Sequence, residues 1–229
     1  MTKILDDIES ALSCVKSGHT LMVGGFGLIG APLTLIDGLT TKQVTELTVI
    51  SNNLGESGKG LGELLRQKKI KKAIGSYFTS NREVGDFYQR GEIELKLLPQ
   101  GTLSESIRAG GAGIGGYYTK TGVGTELANG KEERELNGEK YIFEPALRAD
   151  VALIRAWKAD TIGNLIYYKT ARNFNPLMAT AADVVIAEVD EIVEVGELSP
   201  EEIVTPHLFV DGLIIANKIL TKEGVVDYE

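Results

Sequence analysis

Residues 20–32 read TLMVGGFGLIGAP. Leu21 to Val23 form a short apolar run of the kind a buried strand shows. Four glycines follow, Gly24, Gly25, Gly27 and Gly30, and Pro32 then opens a helix-like segment through Ile36. Glycines between a strand and a helix let backbone N–H groups come close to an anionic ligand. The stretch therefore predicts a strand–turn–helix unit of an α/β fold whose loop meets a phosphate-bearing or strongly polarised ligand.

The same alternation continues outward. Leu47-Thr48-Val49-Ile50 is a β-branched run that ends in Ser51-Asn52-Asn53. Gly62 to Lys69 has helical character, and the basic run Lys68-Lys69-Ile70-Lys71-Lys72 reads as its solvated end, with cations near a helix C-terminus. Ala73 to Phe78 is the next strand. Asn81 to Arg90 is a helix with Asn81 as N-cap and Gly91 beyond its end. Ile93 to Leu98 is a strand that runs into Pro99-Gln100-Gly101-Thr102, with a helix from about Leu103 to Ala109. Spacing of this kind predicts βαβ units in an open, mostly parallel sheet with helices on both faces. Residues 110–130 are glycine-rich, which marks a functional or mobile loop. Glu135 to Phe143 reads as a small β-hairpin, because Asn137-Gly138 favours a type I′ turn. Val151 to Ile154, Gly163 to Tyr168 and Val184 to Ala187 complete the strands. With no linker-like stretch, 1–229 is read as a single domain.

The formal net charge of −8 argues against a nucleic-acid-binding surface. One cysteine, Cys14, allows no intrachain disulfide; it lies in an apolar helical stripe and reads as core. The acidic N-terminus lacks the apolar stretch of a signal peptide, and no run reaches transmembrane length, so a cytoplasmic location away from membranes is expected.

Gly25 to Gly30 matches G-x-G-x-x-G, but a dinucleotide site also needs an acid at the end of the next strand. That strand ends in the amides Asn52 and Asn53, and Glu56 comes later, in a loop. No Gly-Lys-Ser/Thr follows the glycines, so the P-loop reading fails as well.

Val23-Gly-Gly-Phe-Gly-Leu-Ile-Gly-Ala-Pro32 resembles the α-subunit signature of the family I CoA-transferases, which couples Gly-Gly-Phe to Gly-x-Pro at a fixed distance. Val49–Asn53, Pro99–Leu103, Arg108–Gly113, Lys169–Pro176, Ala187–Val193 and Val204–Pro206 resemble the same family. The resemblance covers about residues 5–218. One departure is Ser17-Gly18, where family members often carry Asp-Gly in a turn.

The resemblance implies a fold shared with ribose-phosphate isomerases. It also implies transfer of CoA from an acyl-CoA to a free carboxylic acid such as acetate, butyrate or acetoacetate, through a glutamyl-CoA thioester. In the family that glutamate lies in a Ser-Glu-Asn-Gly block of a β-subunit. This chain carries Asn52 at the analogous place, and an amide cannot form the anhydride; Glu56 is a superficial match that reads better as a loop acid. The resemblance thus implies an α-subunit with a β-subunit partner that carries the nucleophile, usually as α₂β₂, with CoA as a substrate and neither cofactor nor metal. Gln100 is the matching oxyanion-binding glutamine, and capping of its own helix is the plainer reading. The glycine loop, Gly24, Gly25, Phe26, Gly27, Leu28, Ile29 and Gly30, is the CoA-facing element, with Phe26 and Leu28 against the pantetheine arm. Asn52 and Asn53 position substrate or simply turn the chain. Gly110–Gly116 borders or closes the acyl pocket. His19 and His207 are weak candidates, Trp157 reads as a packing or interface anchor near Arg155 and Lys158, and Arg172 as structural or interfacial. A non-catalytic acyl-CoA or sugar-phosphate sensor on the same fold, and an acyl-CoA hydrolase, are the rival readings.

Overall fold

The computed structural model describes residues 2–221 and 224–227. The chain runs through α1 (Ile8–Leu12), β1 (Thr20–Val23), α2 (Leu33–Thr41), β2 (Leu47–Ile50), α3 (Leu61–Arg66), β3 (Ile70–Gly75), α4 (Arg82–Gln89), β4 (Glu94–Leu97) and α5 (Gln100–Gly111). Three antiparallel strands follow, β5 (Gly116–Thr119), β6 (Glu133–Leu136) and β7 (Glu139–Pro145). Then come β8 (Ala149–Arg155), β9 (Lys158–Asp160), β10 (Leu165–Ile166), α6 (Asn175–Thr180), β11 (Ala182–Val189), β12 (Glu191–Val193), β13 (Gly212–Ile215), β14 (Lys218–Thr221) and β15 (Gly224–Asp227).

Seven strands make one sheet in the order β13-β11-β8-β1-β2-β3-β4. Every neighbouring pair is parallel. Side chains of a strand alternate between the two faces, and both faces are covered. Leu21 and Val23 of β1 pack with Leu12, Leu35, Ile36, Leu64 and Val84 of α1–α4. Met22 between them packs with Leu103 and Ile107 of α5 and Met178 of α6. Burial on both faces explains why these strands read as continuous apolar runs. The strand order steps outward from β1 to β4 and then resumes on the other side of β1 with β8. That makes the carboxyl ends of β1 and β8 the switch point at which open α/β sheets bind ligands.

The Asn-Gly hairpin forms as predicted, with Asn137 and Gly138 at φ +54° and +76° between β6 and β7, and β5 widens it to three strands. Asn81 caps α4 by accepting the Glu83 N–H at 3.1 Å.

The basic run is not a solvated helix end. Lys68 takes φ +55°, and Ile70 already begins β3. Lys69 is buried, and its ammonium donates to the carbonyls of Leu39, Thr40 and Lys42 at 2.7, 2.6 and 2.7 Å. It caps the C-terminus of α2, not the end of its own helix.

The glycine-rich segment begins inside a helix rather than in a loop. Gly110 and Gly111 belong to the last turn of α5, where a Cβ would fall 1.9 Å from the Leu147 carbonyl oxygen and 2.1 Å from Thr180 Oγ1 respectively. Close helix packing requires glycine there. These residues lie at the far end of α5 from Gln100, about 16 Å away at 1.5 Å per residue. That separation sets Gly110 and Gly111 apart from the Gln100 end of the helix, whereas Tyr117, just past Gly116, turns back toward it and donates its hydroxyl to the Thr102 carbonyl at 2.9 Å.

Candidate active site at the carboxyl edge of the sheet

Because the seven strands are parallel, the segments after β1, β2, β3 and β4 emerge at one edge. His19 precedes β1 and lies at the opposite edge. The Gly24 N–H donates to the Leu153 carbonyl of β8 at 3.0 Å, which ties the loop to the switch point. Phe26 and Ile29 then close a two-residue hairpin, Phe26 N to Ile29 O at 2.9 Å and Ile29 N to Phe26 O at 3.2 Å. Gly27 at φ +64° occupies its first central position, where a II′ turn calls for glycine.

The N–H groups of Gly24, Gly25, Phe26 and Ile29 all have acceptors inside the protein. Four of the loop's donors are thus committed to the fold. Phe26 and Ile29 are half-exposed, at 47% and 49%, whereas Leu28 is 5% exposed and points into the core. The burial of Leu28 goes against the expected contact of its side chain with a ligand, and of the two exposed side chains Phe26 is the one that lines the cleft described below.

Asn52 and Asn53 follow β2 and are buried. The Asn52 amide donates to Ser76 Oγ at 2.9 Å and to Gln100 Oε1 at 3.4 Å. Asn53 is in part the turn former of the plainer reading, accepting the Gly55 N–H at 3.1 Å and donating to Ser80 Oγ at 3.2 Å. Gln100 opens α5 with Pro99 as N-cap, and no side chain caps that helix. With Oε1 turned to Asn52, its Nε2 donor is left for the cleft. The leading N–H groups of α5, which have no partner within the helix, carry partial positive charge toward the same space.

Phe26, Gln100, Ser104, Asn173, Phe174 and Leu177 line a cleft of about 370 Å³. Glu56 lies outside it, in an exposed turn with Glu56 N to Lys59 O at 3.3 Å, Lys59 N to Glu56 O at 3.0 Å, and its carboxylate 3.6 Å from Lys59 Nζ. This turn repeats, one strand further along, the pairing of Phe26 with Ile29.

Three residues beside the loop had no role assigned from sequence. Asn173 and Asn175 bond to the backbone of the glycine loop, Asn173 Nδ2 to Ile29 O at 2.9 Å and Asn175 Nδ2 to Gly30 O at 3.0 Å. Glu188 of β11 is fully buried and accepts the N–H groups of Thr34 and Leu35, at 2.8 and 3.1 Å, in the first turn of α2. Its other oxygen pairs with Arg155, whose guanidinium also pairs with Asp190. Burial pushes the Glu188 carboxyl up to about 7, against the pull of Arg155 and the helix N–H groups. The available signals were the paired asparagines of Asn173-Phe174-Asn175-Pro176 and an acid inside the apolar run of β11.

Trp157 packs at a tilt on Tyr168, centroids 5.0 Å apart, with Lys158 Nζ 4.9 Å from its ring centroid, as a packing anchor would. Arg172 is exposed beside the Asn173 segment. His207 starts a short 3₁₀ turn, and Cys14 is partly buried against the core. Among the described residues no helix is long and apolar enough to cross a membrane.

The chain is similar to known proteins along most of its length. A family model described as coenzyme A transferase matches residues 5–216. A succinyl-CoA:3-ketoacid coenzyme A transferase subunit of Helicobacter pylori (strain J99 / ATCC 700824) is 52% identical over 218 residues, covering 95% of this chain and 94% of that one. The alpha subunit of acetate CoA-transferase from Escherichia coli (strain K12) is 45% identical over 217 residues, covering 95% and 98%. In fold alone, the chain is similar to a solved thioester complex of an acyl-CoA transferase from E. coli O157:H7 with CoA. The TM-score is 0.83 at 22% identity, over 94% of this chain and 47% of that one.

Proposed function

The chain belongs to the coenzyme A transferase family, and from that premise we propose that it is the α-subunit of a heteromeric enzyme moving CoA between a short-chain acyl-CoA and a free carboxylic acid. The acids proposed are acetoacetate, acetate and butyrate. A β-subunit glutamate attacks the thioester carbonyl and gives an acyl-glutamyl anhydride and CoA thiolate. The thiolate attacks the glutamyl carbonyl, forming glutamyl-CoA and releasing the first acid. The second acid then takes the CoA by the reverse steps. Splitting the exchange in this way is nucleophilic catalysis, with CoA as a substrate and neither cofactor nor metal in the scheme. We place the enzyme in the cytoplasm, as an α₂β₂ assembly.

The observation that carries this reading is the pair Asn52–Gln100. The end of β2 holds an amide where a nucleophile would stand, and that amide orients Gln100 so that its N–H₂ faces the cleft. Such a donor stabilises the oxyanion that forms on thioester attack. The Phe26–Ile29 tip supplies apolar contact for the pantetheine arm, and Asn52 and Asn53 position Gln100 and the turn beside it.

The test uses the chain alone and co-expressed with a β-type partner, with acyl-CoA supplied and the thioester trapped by borohydride. Only the pair should transfer CoA, and the label should fall on the partner. Label on Glu56, or transfer by the lone chain, would sink the reading. Gln100→Ala in the pair should lower kcat roughly 100- to 1,000-fold with the fold intact; unchanged turnover would remove its role.

A further inference from the structure

We propose that Asn173 and Asn175 are positioning residues that clamp the glycine loop in the pose that sets Phe26 across the cleft from Gln100, and that this clamp governs how readily an acyl-CoA seats. The part concerning acyl-CoA rests on the functional reading above; the clamp itself rests on geometry.

The two amides hold the loop at both ends. Asn173 Oδ1 accepts the Gly25 N–H at 3.2 Å, while its Nδ2 donates to the Ile29 carbonyl at 2.9 Å and the Thr170 carbonyl at 3.1 Å. Asn175, with no exposed surface, donates to Gly30 O at 3.0 Å and Ala171 O at 2.9 Å and accepts the Arg155 N–H of β8 at 2.9 Å. An asparagine amide is suited to this, since it donates and accepts from one planar group; an aspartate cannot donate.

Little else ties the tip down. The bonds of the Phe26–Ile29 turn are internal to it, so its attachment to the body comes from Gly24 N to Leu153 O, the buried Leu28 side chain, and the clamp. The fit has no slack, because a Cβ on Gly24 would fall 1.8 Å from Asn175 Oδ1 and one on Gly30 2.4 Å from Ala171 O. Asn173 lines the cleft together with Phe26 and Gln100, so releasing it moves the cleft wall while the two core clusters keep their contacts.

Asn173→Ala in the co-expressed pair tests the assignment. A loop that visits the binding pose only part of the time lowers apparent affinity by that fraction and leaves the bound state unchanged. KM for acyl-CoA should therefore rise about tenfold with kcat within about threefold. Amide exchange over residues 25–30 should quicken about tenfold while β1 and β8 keep their protection. Unchanged exchange in the loop, or a fall in kcat at constant KM, would overturn the proposal. Asn173→Asp serves if the alanine variant does not fold. It keeps the acceptor for Gly25 and loses the donor for Ile29, so it should shift KM and exchange in the same direction, and native values for both would overturn the clamp. Exchange needs no turnover. A native pair without transferase activity therefore counts against the functional reading alone, and the exchange result still decides the clamp.

Discussion

Glu188 is a carboxylate with no exposed surface, held by a guanidinium and two helix N–H groups. Its pKa in the fold is raised from 4.5 to about 7, chiefly by burial. A raised value means that the folded state holds a proton the unfolded chain has released. The stability from this proton is fully present below about pH 4.5 and is lost as pH rises through about 7. Glu188→Gln cannot ionise, so subtracting its stability removes the titrations common to both proteins. The native protein should lose roughly 3 kcal/mol relative to that variant between pH 4.5 and 8, read from urea midpoints. A difference that stays flat with pH would show that Glu188 does not titrate in this range. The residue was visible in the sequence, inside Ala187–Val193, but its role was not. An acid in a strand can face water or sit paired in the interior, and the partner that decides, Arg155, is on another strand. Asn52 and Gln100 were legible because each follows a strand, and parallel strands bring such ends together.

At the scale of elements, strands were read more faithfully than helix ends. Burial on both faces imposes an apolar run on β1, β2, β8 and β11, and that run is a property of the strand itself. Helix ends depend on acceptors and donors supplied from elsewhere. The C-terminus of α2 has its carbonyls answered by Lys69, which burial holds below the usual lysine pKa. Nothing local to Lys68–Lys72 announces that a neighbouring helix needs a cap. Lys69→Met keeps much of the side chain's length and takes the ammonium from three carbonyls, of which, among the described residues, only that of Lys42 keeps another donor, the Val44 N–H at 3.0 Å. It should cost about 2 kcal/mol, lowering Tm by several degrees in a thermal melt. A Tm unchanged within a degree would mean that water replaces the ammonium without loss. Gly110 and Gly111 escape a local reading for a related reason: composition suggests mobility, whereas these two are glycines because another backbone and Thr180 lie against them.

For the whole molecule, the strand order is what the sequence could not supply. Alternating strands and helices predict a parallel sheet but leave open on which side of β1 the chain resumes. Placing β8 there brings two distant stretches of chain, the Phe26 turn and the Asn173 segment, to one cleft. The blocks that resemble CoA-transferases are scattered along the sequence, and several converge at this edge. The turns at Phe26–Ile29 and Glu56–Lys59 add something practical. Both are closed by the same reciprocal pair of bonds, and only the first is gripped by Asn173 and Asn175. The chain thus carries its own calibrant: in one exchange experiment both turns share buffer, temperature and global opening. The ratio of their rates, free versus acyl-CoA-loaded, isolates what the ligand does to the gripped turn without reference to any second protein.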